Sequence, residues 1–147
     1  MAGSFIFIVL VQENNTRMPI SRFKLKYGLM RKEDIVMETK DLEIFNDVPF
    51  LFWVKDGGGR YLWGNRTISQ LAGEEVAGKT DRELLWADNA DSLQAGDKQV
   101  FESGKPNYLH EYGDKSSHGK ATLNVCKWLG DFEGHKCCFR ISFIMEE

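Results

Sequence analysis

The chain has 147 residues, 42% of them hydrophobic and 28% charged, and a formal net charge of -3. That balance fits one globular domain with a short arm and excludes wholesale disorder, and its mild acidity argues against nucleic acid, whose phosphates need a basic face. Three cysteines at no metal-ligand spacing exclude a disulfide framework and a zinc site, and point to a reduced, cytoplasmic protein.

The longest apolar run is Phe5 to Val11. It falls far short of the roughly 20 residues of a membrane span and lacks signal-peptide flanks, so no membrane segment is expected. Residues 1–32 form an arm of uncertain structure, with Arg17, Arg22, Lys24, Lys26, Arg31 and Lys32 read as a solvated basic face. Over residues 33–46, Ile35, Val36, Thr39, Leu42 and Phe45 recur every three to four residues behind Glu33 and Asp34. The spacing predicts an amphipathic cap helix that Asp47-Val48-Pro49 ends.

Residues 47–147 carry the core. Phe50 to Lys55 and Arg60 to Asn65 are β-branched and aromatic around the turn Asp56-Gly57-Gly58-Gly59, which predicts a hairpin. Both strands are apolar on both faces, so we expect the sheet to be covered on each side. Arg66 to Leu71 and Glu74 to Ala77 read as short helical turns closed by Gly73 and Gly78, and Thr80-Asp81-Arg82-Glu83 as a capping box. Asp88 to Ser103 predicts the longest helix, with Ala90, Leu93, Asp97, Val100 and Phe101 on one side and Gly104 as its stop. Pro106 to Tyr112, Ala121 to Leu129 and Cys137 to Met145 predict three successive antiparallel strands.

This order, with Val54 to Asn65, Leu71-Ala72-Gly73, Val76 to Asp81, Leu84-Leu85-Trp86, Ala90 and Asp97 to Pro106 at matching spacing, resembles a PAS domain. It is most similar to the bacterial sensory subgroup with a G-K-T-D segment and a Trp before the long helix. The resemblance implies an α+β fold: a five-stranded antiparallel sheet with short helices on one face and an N-terminal amphipathic helix. It implies a sensory, non-enzymatic signal-transduction module. Such a module binds a small ligand between sheet and helices, or pairs as a homodimer, and acts on an attached output domain such as a histidine kinase or diguanylate cyclase of a two-component system.

On that reading Asn65, Trp86, Tyr108, His110 and Asn124 are expected to face the cleft. The cap helix is expected to cover the outer sheet face and supply dimer contacts through Ile35, Leu42 and Phe45. The cofactor stays open. The Asn-Cys-Arg-Phe-Leu-Gln segment of light-sensing flavin domains is missing, and Asn107 follows Gly104-Lys105-Pro106 where redox flavin domains place a Trp. A haem would need His110, which alternation groups with Tyr108 and Tyr112 on one strand face. No catalytic or metal constellation is evident. The alternatives are a purely structural dimerisation domain and a small α+β enzyme.

Overall fold

The computed structural model describes residues 36–145, so the arm and Ile35 lie outside the described residues. Six strands form one sheet: β1 (Val36–Met37), β2 (Leu51–Lys55), β3 (Tyr61–Gly64), β4 (Asn107–Gly113), β5 (Ala121–Phe132) and β6 (His135–Met145). Their order is β1-β5-β6-β2-β3, with β4 also paired to β5. The ladders that join β2 to β3, β2 to β6, β4 to β5 and β5 to β6 are antiparallel. The sheet therefore has one strand more than the five expected, because Val36–Met37 is extended rather than helical.

The cap is correspondingly shorter than residues 33–46. It consists of α1 (Thr39–Leu42) and a 3-10 turn, Glu43–Phe45. Glu38 and Asp41 close a capping box at its start, and the Glu133 carboxylate accepts from Thr39 N at 2.8 Å and from Thr39 Oγ1 at 2.9 Å. Leu42 and Phe45 pack on the outer sheet face with Phe52, Val54, Trp63, Phe132 and Phe139. The Phe45 ring meets Phe52 edge-on at 5.2 Å, and Phe52 meets Trp63 at 5.4 Å. Leu42 is 1% exposed, so its contacts are spent within its own chain and not on a partner.

The other helices lie on the inner face. α2 (Arg66–Ala72) ends at Gly73 with φ 73°, and α3 (Ala90–Ser103) follows a 3-10 turn, Ala87–Asn89, and stops at Gly104. Glu74 to Ala77 forms no helix, contrary to expectation. The neighbouring backbone bonds to β3 instead: Gly78 N donates to Tyr61 O at 2.7 Å, and Tyr61 N donates to Lys79 O at 2.8 Å. Under these elements sit Leu51, Trp53, Tyr61, Ile68, Leu71, Val76, Trp86 and Val125, a second apolar cluster.

The last hairpin is longer than its sequence suggests. Gly130, Asp131 and Phe132 continue β5, and only Glu133 and Gly134 turn, with φ of 52° and 78°. A side chain on Gly130 would meet the Phe139 ring at 2.6 Å, so the bare backbone makes room for that ring. Among the described residues no helix is long and apolar enough to cross a membrane.

Candidate functional cleft

Strands normally send apolar residues towards a core, but here three cations point inward. Trp53, Arg140 and Lys127 stand opposite one another across β2, β6 and β5, and Lys55 lies one inward position further along β2. Lys55, Lys127 and Arg140 are each at most 2% exposed. Charges so deep persist only with partners, and three carboxylates supply them: Asp81 from the 3-10 turn Asp81–Glu83, Asp97 from α3 and Glu111 from β4.

Each carboxylate ties a different element to the sheet. The Thr80–Glu83 capping box, in which Thr80 N donates to Glu83 Oε2 at 2.8 Å, presents Asp81 to the interior. Asp81 Oδ2 then lies 2.5 Å from Lys55 Nζ, while Oδ1 accepts from Tyr61 Oη at 2.9 Å and Trp86 Nε1 at 3.2 Å. Asp97 is the hub: Oδ1 accepts from Lys127 Nζ at 2.8 Å and lies 2.5 Å from Arg140 Nη2, and Oδ2 lies 3.5 Å from Lys55 Nζ. Glu111 pairs with Lys127. One residue before the hub, a Cβ on Gly96 would lie 3.2 Å from Lys127 Nζ, so a helix-weakening glycine leaves room for the ammonium.

The electrostatics follow from depth. Burial alone would raise the Asp97 carboxyl, but Arg140, Lys55 and Lys127 outweigh it and hold the group below the usual carboxylate range. Burial, reinforced by Arg140, pulls the Lys55 ammonium below its ordinary value against Asp97 and Asp81. Burial and the Asp81 charge push Tyr61 well above an ordinary phenol.

Beside this cluster is a cavity of about 40 Å³, walled by Trp53, Tyr61, Ile68, Leu71, Trp86 and Leu93, with Glu111 and Leu123 from the sheet and Lys115 and Ser116 also lining it. It is apolar and aromatic, with a few polar groups at its margin, the usual character of a small-molecule site.

Of the five residues expected in this cleft, only Trp86 is there. Asn65 is fully buried and structural: its Oδ1 accepts from Phe52 N at 3.1 Å and Ile68 N at 3.2 Å, and its Nδ2 donates to Phe45 O at 3.0 Å and Phe50 O at 2.8 Å. Tyr108 is 75% exposed, and His110 and Asn124, paired across β4 and β5, are exposed as well. The grouping of Tyr108, His110 and Tyr112 on one face is correct, but that face is the outer one, and Glu111 points inward. His110 is therefore not placed to ligate a haem in the cleft. Sequence reading passed over Lys55, Lys127, Arg140 and Glu111 as site residues. The available signal was a single charge flanked by apolar neighbours within a strand, as in Cys126-Lys127-Trp128 and Phe139-Arg140-Ile141.

Residues 45–127 match the sequence model of the family described as PAS fold. Among solved structures, VqmA bound to DPO aligns with a TM-score of 0.61 at 18% identity, covering 72% of this chain and 57% of that one. The PAS domain of an HTR-like protein from Haloarcula marismortui aligns with a TM-score of 0.59 at 16% identity, covering 73% and 90%. The PAS domain of the Cronobacter turicensis quorum-sensing receptor RpfR, in complex with BDSF, aligns with a TM-score of 0.55 at 13% identity, covering 68% and 97%. This chain spans a little over half the length of the VqmA chain it matches. No curated protein matches the sequence.

Proposed function

Because the chain belongs to the PAS-fold family, we propose that it is a sensory module whose inner cleft binds a small molecule and whose sheet passes the event to an attached domain. The observation that carries this reading is the aromatic cavity bounded by Trp53, Tyr61 and Trp86, set directly against the buried ion cluster. VqmA and RpfR, which share the fold, were each solved with a small ligand, DPO and BDSF respectively, and this supports the same use here.

The cavity size suggests how binding becomes a signal. About 40 Å³ takes a few waters, whereas an apolar cavity that binds benzene is nearer 150 Å³. A ring-sized ligand must therefore press Trp86 and α3 away from the sheet. Trp86 is bonded to Asp81, and α3 carries Asp97, so displacement strains the ion pairs on Lys55, Lys127 and Arg140. In this reading the chain binds and does not catalyse, works in the bacterial cytoplasm, pairs with a second copy, and acts on an output domain such as a histidine kinase or diguanylate cyclase.

The test is an absorption spectrum of the freshly purified chain, mass spectrometry of what denaturation releases, and a thermal-shift screen with small metabolites. One released or stabilising molecule is expected. A protein that releases nothing and is shifted by nothing would refute the ligand reading.

A second reading, dimerisation without a ligand, draws on the outer sheet face, where Tyr108, Tyr112, Phe143 and Met145 are all exposed. Sedimentation of Phe143→Glu tests it: a dimer that this change does not weaken would count against that face.

A further inference from the structure

The sheet is inverted in charge. Its described strands hold six charged residues, Lys55, Glu111, Lys127, Asp131, Lys136 and Arg140, and alternation puts all six in the inward register. The strands thus leave the outer face without a formal charge, the reverse of a solvated sheet. Leu42 and Phe45 of the cap cover the part of it around Phe52, Val54 and Phe139. Over β4, β5 and the end of β6, Tyr108, Tyr112, Phe143 and Met145 stay 75%, 63%, 54% and 43% exposed. His110 and Asn124, between them, are exposed as well.

That patch suits a second copy of this chain. In a two-fold contact a face meets itself, so like charges would meet, and here the strands supply none. The same lack leaves nothing to steer or orient a charged partner. The area is adequate too. At these exposures the three aromatic side chains, which bury about 150–250 Å² each, offer roughly 300–500 Å². Met145, His110 and Asn124 extend this towards the roughly 800 Å² per partner of a stable complex.

An imidazole within the patch changes charge near neutral pH. His110 stands between Tyr108 and Tyr112 on β4 and opposite Asn124, which stands opposite Phe143 of β6. The Cys126 thiol and Ile141 flank that row on one side, Thr122 and Met145 on the other. Phenols and thiols keep their protons between pH 5.5 and pH 7.5 for the most part, so the imidazole is the group that switches. Among the described strand residues no carboxylate shares the face to hold an imidazolium. A two-fold axis along β5 sets His110 over Phe143 of the second copy, and one along the His110–Asn124–Phe143 row sets it over the other His110. Either closure strips water from the ring and supplies no counter-charge, so the neutral form alone fits.

We propose that a second copy seats on the outer face of β4, β5 and β6, and that His110 makes this pairing depend on pH. Pairs form while the imidazole is neutral and part when it takes a proton. This rests on the reading of the outer face as a dimer contact.

The experiment is sedimentation equilibrium of the full chain at pH 7.5 and pH 5.5. For an ordinary imidazole, which titrates near about 6.5, shedding one proton per copy makes Kd about a hundredfold higher at the lower pH. His110→Gln, a neutral change at an exposed position, should keep the dimer and abolish that difference. His118→Gln and His135→Gln, at exposed positions outside the patch, should retain it. The unmodified chain alone decides whether pairing responds to pH, so the test survives a variant that fails to fold.

If Kd is equal at the two pH values while Phe143→Glu breaks the dimer, or if His110→Gln keeps the full pH response, the switch is overturned and the dimer face stands. A chain that is monomeric at both pH values, or a dimer that Phe143→Glu leaves intact, removes the face and this proposal with it.

Discussion

Asp97→Asn isolates what the buried charges contribute. The substitution keeps the shape of the side chain and removes the one carboxylate among the described residues that contacts all three buried cations. Lys55 retains Asp81 at 2.5 Å and Lys127 retains Glu111, but Arg140 loses its carboxylate contact while remaining 1% exposed. A buried charge stripped of its partner costs about 3–5 kcal/mol. Against a total stability of about 5–15 kcal/mol, that is a large share, and it lowers the melting midpoint by roughly 10–20 °C.

The pH dependence has a definite sign. The Asp97 carboxyl titrates below its unfolded value, so its contribution is present above about pH 4 and fades as pH falls through the lower folded value. Asp97→Asn should therefore flatten the acid limb of a stability-against-pH curve as well as lowering the whole curve. Urea unfolding between about pH 2 and pH 7 measures both, with exposed Asp91→Asn as a control expected to change little, since its pair with Arg82 is solvated. An Asp97→Asn protein within about 1 kcal/mol of the wild type, with an unchanged acid limb, would refute the assignment of Asp97 as hub.

Three further outcomes follow from the packing. Asn65→Ala removes four hydrogen bonds that join β2, α2 and the cap, and should cost about 3 kcal/mol or more by urea unfolding. Gly64→Ala would place a Cβ 2.4 Å from Val76 Cγ2 and 2.8 Å from Ile68 Cγ2, so a loss of about 1–3 kcal/mol is expected in the same assay. Iodoacetamide at neutral pH should label Cys126 before the buried Cys137 and Cys138, of which Cys137 is pushed up to about 11 chiefly by burial; peptide mass mapping over time reads the order.

Local chemistry in the sequence was legible, and long-range pairing was not. The Thr80–Glu83 capping box and the Gly73 and Gly104 helix stops depend on near neighbours, and they appear where their residue types put them. Which face of β4 turns inward depends on partners elsewhere. Alternation separates Tyr108, His110 and Tyr112 from Leu109 and Glu111, but a carboxylate faces the core only because Lys127, sixteen residues on, meets it there. The same holds for Asp97, which helical spacing places on the apolar side of α3 and whose cationic partners come from three separate strands. The expected cap helix begins too early because Val36 fits a helical period, whereas β5 offers Val36 and Met37 a strand partner.

The turn at Glu133 and Gly134 bears on the order of folding. The β5–β6 hairpin pairs Thr122 with Met145 through to Phe132 with His135, and Trp128 stacks on Phe139 at 5.8 Å, all within contiguous chain. Such a local unit closes with little loop entropy, whereas the cleft must gather Lys55, Asp81, Asp97 and Lys127 across more than seventy residues. Glu133 links the two stages: it holds a positive φ, its N–H donates to Met37 O at 2.9 Å, and its carboxylate receives Thr39. The cap can dock only on a turn already made. Amide exchange should thus show the hairpin as the last region to open and the cap as an early one, with the ligand cavity gated by segments that leave before the sheet does.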